Sequence, residues 1–333
     1  MDIVTQAILG ATVAQSAARK EHIRLATMIG LVAGVIADAD VLIRSSTDPL
    51  LSLEYHRHFT HSIFFIPIGA LIAFCLFWPF LRNRLSASAI YGYCFLGYLL
   101  SGFIDACTSY GTHLLWPLMN TRIAWNVVSI VDPVFTLLLV VGVVASIKSA
   151  NTRYSRIALV LAGCYLLIAA MQLNRAEQSI RELAAQRGHE IERIVVKPTV
   201  ANNLLWRSVY LADNIFYIDA VRVAAAKRIY PGASIKKFNL SESFPDLKRD
   251  TTLFRDIKRF EHFSDDFVSH YPGRPEVLGD VRYAMSPVST LPLWGIEINS
   301  LDTGQPVKFE SYRVVSKQAK RQFIAMLLGK DTH

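Results

Sequence analysis

Long apolar runs dominate the first half of this chain and leave it few possible folds. Residues 23–43, 59–81, 89–107, 130–147 and 157–173 are each long enough, or nearly so, to cross a hydrocarbon core that needs about 20 helical residues. A sixth run, residues 3–18, is short but almost uncharged. At about 1.5 Å per residue it would span roughly 24 Å. Backbone polar groups in lipid must bond within their own segment, so such runs read as helices. A signal peptide fits the first run poorly, because Asp2 stands where a basic region belongs and Arg19 and Lys20 follow the apolar stretch.

The charge density changes sharply half-way along. The first 174 residues hold 11 Lys/Arg and 8 Asp/Glu, and the remaining 159 hold 24 and 19. The expected architecture is a membrane α-helical bundle of about six helices over residues 1–174, followed by a soluble α+β domain over 175–333. A composition of 52% apolar and 19% charged residues excludes disorder and coiled coil. Cys75, Cys94, Cys107 and Cys164 lack CxxC spacing, which argues against a zinc ribbon or a disulfide framework. The net charge of +8 calls for no nucleic acid: basic side chains beside a bilayer account for it, and no basic stripe with interleaved aromatics is present.

Basic residues also set an orientation. If all six runs span, Arg19, Lys20, Arg24, Arg82, Arg84, Lys148, Arg153 and Arg156 fall on one side, against Arg44, Arg57 and Arg122 on the other. The amino terminus and the soluble domain are then outside. The polar residues of the apolar runs gather at that same outer level: Asp2, Gln6, Asp38, Asp40, His56, His58, His61, Asp105 and Asp132. Ionisable groups at membrane depth are costly and face a polar cavity or a partner.

This constellation points to a divalent metal site. Asp38, Asp40, His56, His61 and Asp105 are the candidate ligands. Carboxylate and imidazole without thiolate suit zinc, manganese, iron or magnesium-like ions, zinc and manganese foremost, and such ions activate water for hydrolysis. Arg57 would orient an anionic group through its planar fork, and Asp132 would act as a base or support a ligand. The blander readings are helix caps and salt bridges, with Arg57 paired to Asp38 or Asp40.

The motifs resemble those of the YdjM-type family, membrane-bound metal-dependent hydrolases of the LexA-regulated inner-membrane kind. Met1-Asp2-Ile3-Val4-Thr5-Gln6 matches the family's opening, Asp38-Ala39-Asp40 its paired acids, and His56, Arg57, Thr60, His61 and Ser62 its most specific motif. Asp105, Thr108 to Gly111, Leu114 to Pro117 and Asp132-Pro133 continue the match. Three positions depart from it: Gln6 and Ser101 stand where the family has His, and Asn126 where Asp is frequent. The resemblance implies an inner-membrane, multi-pass protein with its site on the periplasmic side, hydrolysing an ester or phosphoester, with a lipid or lipid-linked substrate favoured by location. The rival class is a non-catalytic membrane protein keeping the cluster for structure, ion binding or transport; no internal repeat supports transport.

The second half carries no phosphate loop, GxSxG or HExxH. Residues 156–187 read as one helix leaving the bilayer, with Arg175, Glu182 and Arg187 on a solvated face. Residues 191–198 and 204–223 read as strands, the latter turning at Asp213-Asn214, and 282–284 and 294–298 as two more. Residues 251–269, with apolar Leu253, Phe254, Ile257 and Phe260 on one side, and 314–328 read as helices, the whole forming one sheet with two or three helices. Lone His262 and His270 read as surface residues. Asp280-Val281-Arg282-Tyr283 reads as an ion pair or as a contact with the membrane site. The domain is expected to cover that site or select its substrate.

Overall fold

The computed structural model describes residues 1–298, 303–313 and 316–331. The chain forms two compact units that interleave in sequence. The first contains Met1–Ile43, Tyr55–Met171 and Val200–Asn202; the second contains Arg44–Glu54, Gln172–Thr199 and the chain from Asn203 onward.

The helices up to residue 186 are α1 (Ile3–Ser16), α2 (Ile23–Ile36), α3 (Leu51–Tyr55), α4 (Ile66–Leu81), α5 (Ala87–Tyr98), α6 (Ser101–Ala106), α7 (Pro133–Ser149) and α8 (Arg153–Gln186). Each apolar run carries a helix, but not each is a full crossing. Three helical stretches of the described residues, Lys20–Leu42, Ala87–Ala106 and Arg153–Gln186, are long and apolar enough to span a bilayer. A fourth arises if Leu51–His61 and Ile66–Leu81, bent by 88°, count as one. Polar caps mark where the two shorter apolar helices begin. The Asp2 carboxylate accepts from the Val4 and Thr5 amides at the start of α1, and Asp132 accepts from those of Val134 and Phe135 at the start of α7. The 14 residues of α1 cover about 21 Å and the 17 of α7 about 25 Å, against a core of about 30 Å.

Small residues set the helix spacing in this unit. Gly10 of α1, Gly30 and Gly34 of α2 and Gly97 of α5 meet backbone to backbone. A Cβ on Gly34 would lie 2.7 Å from the Gln6 carbonyl oxygen, and one on Gly97 would lie 2.8 Å from the Gly30 Cα. Close approach of this kind is how helices associate where lipid supplies no hydrophobic drive. Ala14, Ala26, Ile29, Ala33, Ala70 and Cys94 fill the adjoining core.

The second unit holds two four-stranded antiparallel sheets, where the sequence suggested one. The first runs β1 (Arg193–Pro198), β2 (Leu205–Ala212), β3 (Ile215–Val223) and β4 (Lys227–Lys236); the second runs β5 (Val268–Tyr271), β6 (Arg274–Asp280), β7 (Trp294–Glu297) and β8 (Lys308–Ser311). Asp213 and Asn214 turn β2 into β3 with φ of 51° and 60°, the left-handed pair of a tight hairpin. Ala176, Ile180 and Ala184 of α8, one turn apart, pack on Trp206, Tyr210 and Val221 of the first sheet. Helices α9 (Leu240–Ser243), α10 (Thr252–Phe263) and α11 (Lys317–Leu328) complete the unit. Helix α10 presents Leu253, Ile257 and Phe260 to Val268, Leu278 and Ile296 of the second sheet.

Several local expectations are corrected. The helix expected over 251–269 stops at Phe263, because Asp265 and Asp266 turn left-handed before β5. Residues 282–284 form no strand, only an isolated bridge of Ala284 with Pro292. Arg187 is not on a solvated face: its fork grips Asp219 at 2.6 and 2.9 Å, and Arg175 donates to the Ala224 carbonyl. Val314 and Val315, in the expected last helix, lie outside the described residues.

Candidate metal centre

Three short elements carry the site. Helix α2 tightens into a 3-10 turn over Ala37–Leu42, bringing Asp38 and Asp40; a second 3-10 turn, Phe59–His61, brings His61; and α6 brings Asp105. Backbone contact sets the last two side by side. A Cβ on Gly102 would strike the His61 carbonyl, so only glycine lets α6 approach this closely. Tyr98 holds the same turn by donating its hydroxyl to the Thr60 carbonyl at 2.5 Å.

His61 is the centre of the cluster. Its ring is buried, with Nε2 at 2.9 Å from Asp105 Oδ2 and 3.3 Å from Asp38 Oδ1. One ligand atom from each of Asp38, His61 and Asp105 can be chosen so that all lie within 4.8 Å of one another. That separation suits donors around a single ion, whose Zn–N or Zn–O bonds are about 2.0–2.2 Å. His61 Nε2 takes part in no hydrogen bond despite its burial. On its other edge, Nδ1 lies 3.0 Å from Thr60 Oγ1 and 3.4 Å from Asp40 Oδ2. A proton on Nδ1, donated to that side, leaves the Nε2 lone pair facing the two carboxylates, as in carboxylate–histidine–metal arrangements. Two carboxylates and one neutral imidazole fit a divalent cation.

Asp40 and His56, also expected as ligands, stand outside that trio. Asp40 is an organiser: it lies 3.0 Å from His56 Nδ1, and accepts from the Thr60 hydroxyl at 3.0 Å and the Arg57 amide at 2.6 Å. Arg57 has φ of 58°, a left-handed conformation that a bulky residue adopts only when its surroundings impose it. The surroundings do so here. The Arg57 carbonyl accepts from the His113 amide and the Thr112 hydroxyl, while the guanidinium donates to the Met1 carbonyl and Thr108 Oγ1 and lies 3.3 Å from Asp105 Oδ1. Arg57 is therefore beside the trio, paired with Asp105 and not with Asp38 or Asp40 as the blander reading had it. Asp132 is placed otherwise. One oxygen caps α7 and the other accepts from Tyr165 at 2.8 Å.

Residues 1–176, which hold every one of these groups, match the model of the YdjM inner membrane protein family. The chain belongs to that family. No curated protein and no solved structure matches it. Of the three positions that depart from the motifs, Gln6 touches the trio. Gln6 is buried and donates from Nε2 to Asp105 Oδ2 at 2.9 Å, so an amide touches one member of the trio. Ser101 is buried one residue before Gly102, but its hydroxyl turns back to the Tyr98 carbonyl. Asn126 has φ of 56°, which Asn and Asp both tolerate, so that substitution keeps the backbone conformation.

Sequence reasoning missed Tyr98, Tyr110 and Arg122. The guanidinium carbons of Arg57 and Arg122 lie 5.3 and 4.8 Å from the Tyr110 ring centroid, and Arg122 donates to the His56 carbonyl. Tyr110 lies inside the Thr108–Gly111 motif, which was the available signal. Tyr98, one of three tyrosines in the apolar run 89–107, gave none.

Proposed function

We propose that this YdjM-family protein is a membrane-bound, metal-dependent hydrolase acting on an ester or phosphoester. The observation that carries the reading is the approach of Asp38, His61 and Asp105 around a buried His61 Nε2 that makes no hydrogen bond. Asp38, His61 and Asp105 would hold the ion, zinc or manganese by donor type. Bound there, a divalent cation supplies Lewis acidity and lowers the pKa of water near it. The chain's own groups do the rest. Asp40 fixes the His61 tautomer and the Arg57 backbone, while Arg57 and Arg122, stacked about Tyr110, provide two cations for an anionic substrate group. A site among apolar helices favours a lipid or lipid-linked substrate. The protein is read as multi-pass in the inner membrane, with the site on the periplasmic side.

Metal analysis of the detergent-purified protein tests this reading. Close to one equivalent of zinc or manganese is expected, and His61→Ala should lose it while keeping its helical signal. Metal that stays in the variant, or none in the wild type, would remove the basis for hydrolysis. A non-catalytic reading has its own support: Asp105 already meets Gln6, Arg57 and the Met1 amino nitrogen, a closed polar network without an ion. The metal analysis separates the two.

Orientation is tested by labelling. A cysteine at Arg82 should be shielded from a membrane-impermeant reagent added outside, and one at the exposed Lys227 should react. Equal reactivity at both positions would overturn the periplasmic assignment.

A further inference from the structure

The stretch between the two halves of the site does not belong to the helical unit. The chain leaves that unit after Ile43, three residues beyond Asp40, contributes Arg44–Glu54 to the second unit, and returns at Tyr55, one residue before His56. Two independent features anchor the excursion. Leu50 is 2% exposed, packed with Leu253, Ile257 and Phe260 of α10. Arg259 of the same helix takes Asp48 at 3.0 and 2.9 Å and Glu54 at 2.6 and 2.9 Å, each through two nitrogen–oxygen pairs, and also reaches Asp256 at 3.1 Å. One guanidinium thus bridges three neighbouring carboxylates, and the fork geometry fixes the two from the excursion in direction as well as distance. Without it, Asp48, Glu54 and Asp256 repel one another.

We infer that Arg44–Glu54 is a strap by which the second unit sets the geometry of the metal centre, with Arg259 as its positioning residue. This rests on reading Asp38, His61 and Asp105 as that centre. The strap's ends are already tied within the site: the Ile43 amide donates to the Asp40 carbonyl at 2.9 Å and the Arg57 amide to the Asp40 carboxylate at 2.6 Å. Loss of the Leu50 and Arg259 anchors therefore loosens residues continuous in the chain with Asp40 and Arg57, and through Asp40 the Nδ1 edge of His61.

Hydrogen exchange on metal-free, full-length protein tests the strap, and zinc titration tests its consequence. Arg259→Ala should speed exchange of the Ile43 and Arg57 amides about tenfold, by local opening. It should weaken zinc binding by about 10- to 100-fold, the range seen when groups supporting ligands are lost. Arg187→Ala, which breaks a comparable pair with Asp219 in the same unit, should change neither. Asp48→Asn is the second variant, loosening the strap without altering α10, and should shift both readouts in the same direction. Unchanged exchange at Ile43 and Arg57 in both strap variants, or an equal response to Arg187→Ala, would overturn the strap. Wild-type protein that binds no zinc or manganese overturns the metal centre alone, since the exchange is read without metal.

Discussion

Gly34→Leu is expected to abolish the folded helical unit. The first added carbon would sit 2.7 Å from the Gln6 carbonyl oxygen and 3.2 Å from the Gly10 Cα, both backbone atoms that no rotamer change can move. The branched carbons beyond it have no space between α1 and α2. Overpacking of this kind costs about 3 kcal/mol or more when the neighbours cannot yield. Separation of α1 from α2 also withdraws Gln6 from Asp105, so metal binding should fall with the fold. The check is thiol labelling in a background with exposed Cys75 and Cys164 changed to serine, where only buried Cys94 and Cys107 remain. Both should react rapidly in Gly34→Leu and slowly in the parent. Protection equal to the parent's would mean that the seam tolerates side chains.

The second large effect belongs to the sheet unit. Asp280 is buried and accepts from Arg282 at 3.0 and 2.8 Å, which makes the Asp280–Arg282 pair an ion pair of the domain interior. Beside it Lys197 and Arg207, directly paired across β1 and β2, are also buried. Arg207 donates to the carbonyls of Val281, Ser286 and Pro287, whereas Lys197 Nζ makes no hydrogen bond and lies 3.1 Å from the Tyr283 ring centroid. Desolvation pushes the Arg207 guanidinium down to about 9, still protonated at neutral pH, and holds Lys197 well below its usual 10.5. Asp280→Ala leaves Arg282 and the buried Arg207 without their nearby carboxylate and should cost about 3–5 kcal/mol, as broken buried pairs do. Denaturation followed by the fluorescence of buried Trp206 measures it. A loss below about 1 kcal/mol would mean that water reaches the cluster.

Lys197 also gives a pH dependence with a definite sign. Between its lowered folded value and 10.5 the unfolded chain binds a proton that the folded one does not. Stability from this group therefore rises as pH rises through that window. Lys197→Met should stabilise the unit by about 1–3 kcal/mol near neutral pH, by removing an unsatisfied buried amine. It should also flatten the slope toward pH 10. An unchanged slope would place the titration elsewhere.

Local signals in the sequence carried far. Asp213-Asn214 specified its hairpin because both residues accept positive φ, and the spacing of Leu253, Phe254, Ile257 and Phe260 marked an apolar face of α10, of which all but Phe254 are buried. Asp38, His61 and Asp105 were legible as members of one cluster because charge within an apolar run is costly and persists where a polar cavity or a partner receives it. Telling ligand from organiser was not possible. Asp38 and Asp40 are two residues apart, and only the 3-10 turn that points them to different edges of His61 sets them apart. Asp132 directly precedes a proline, the pattern of a capped helix start, and that local signal accounts for both of its carboxylate-to-amide contacts. The division into two sheets was hidden because β4, β5, β6 and β8 are short or broken by Pro and Gly and lack clear alternation.

The interleaving of the two units also bears on how such a chain can have been assembled. The family match ends at residue 176, near the passage of α8 from one unit to the other, yet Arg44–Glu54 lies well inside the matched region. The carboxy-terminal portion is consequently not a cassette appended at a single junction, because a piece of its interior is encoded upstream, between two motif positions. A relative ending near residue 176 would leave Leu50 without Leu253, Ile257 and Phe260 to cover it. Its segment between the paired acids and the His-Arg motif should be shorter or polar at that position. Gain or loss of the second unit therefore requires coordinated change at two distant places in the gene.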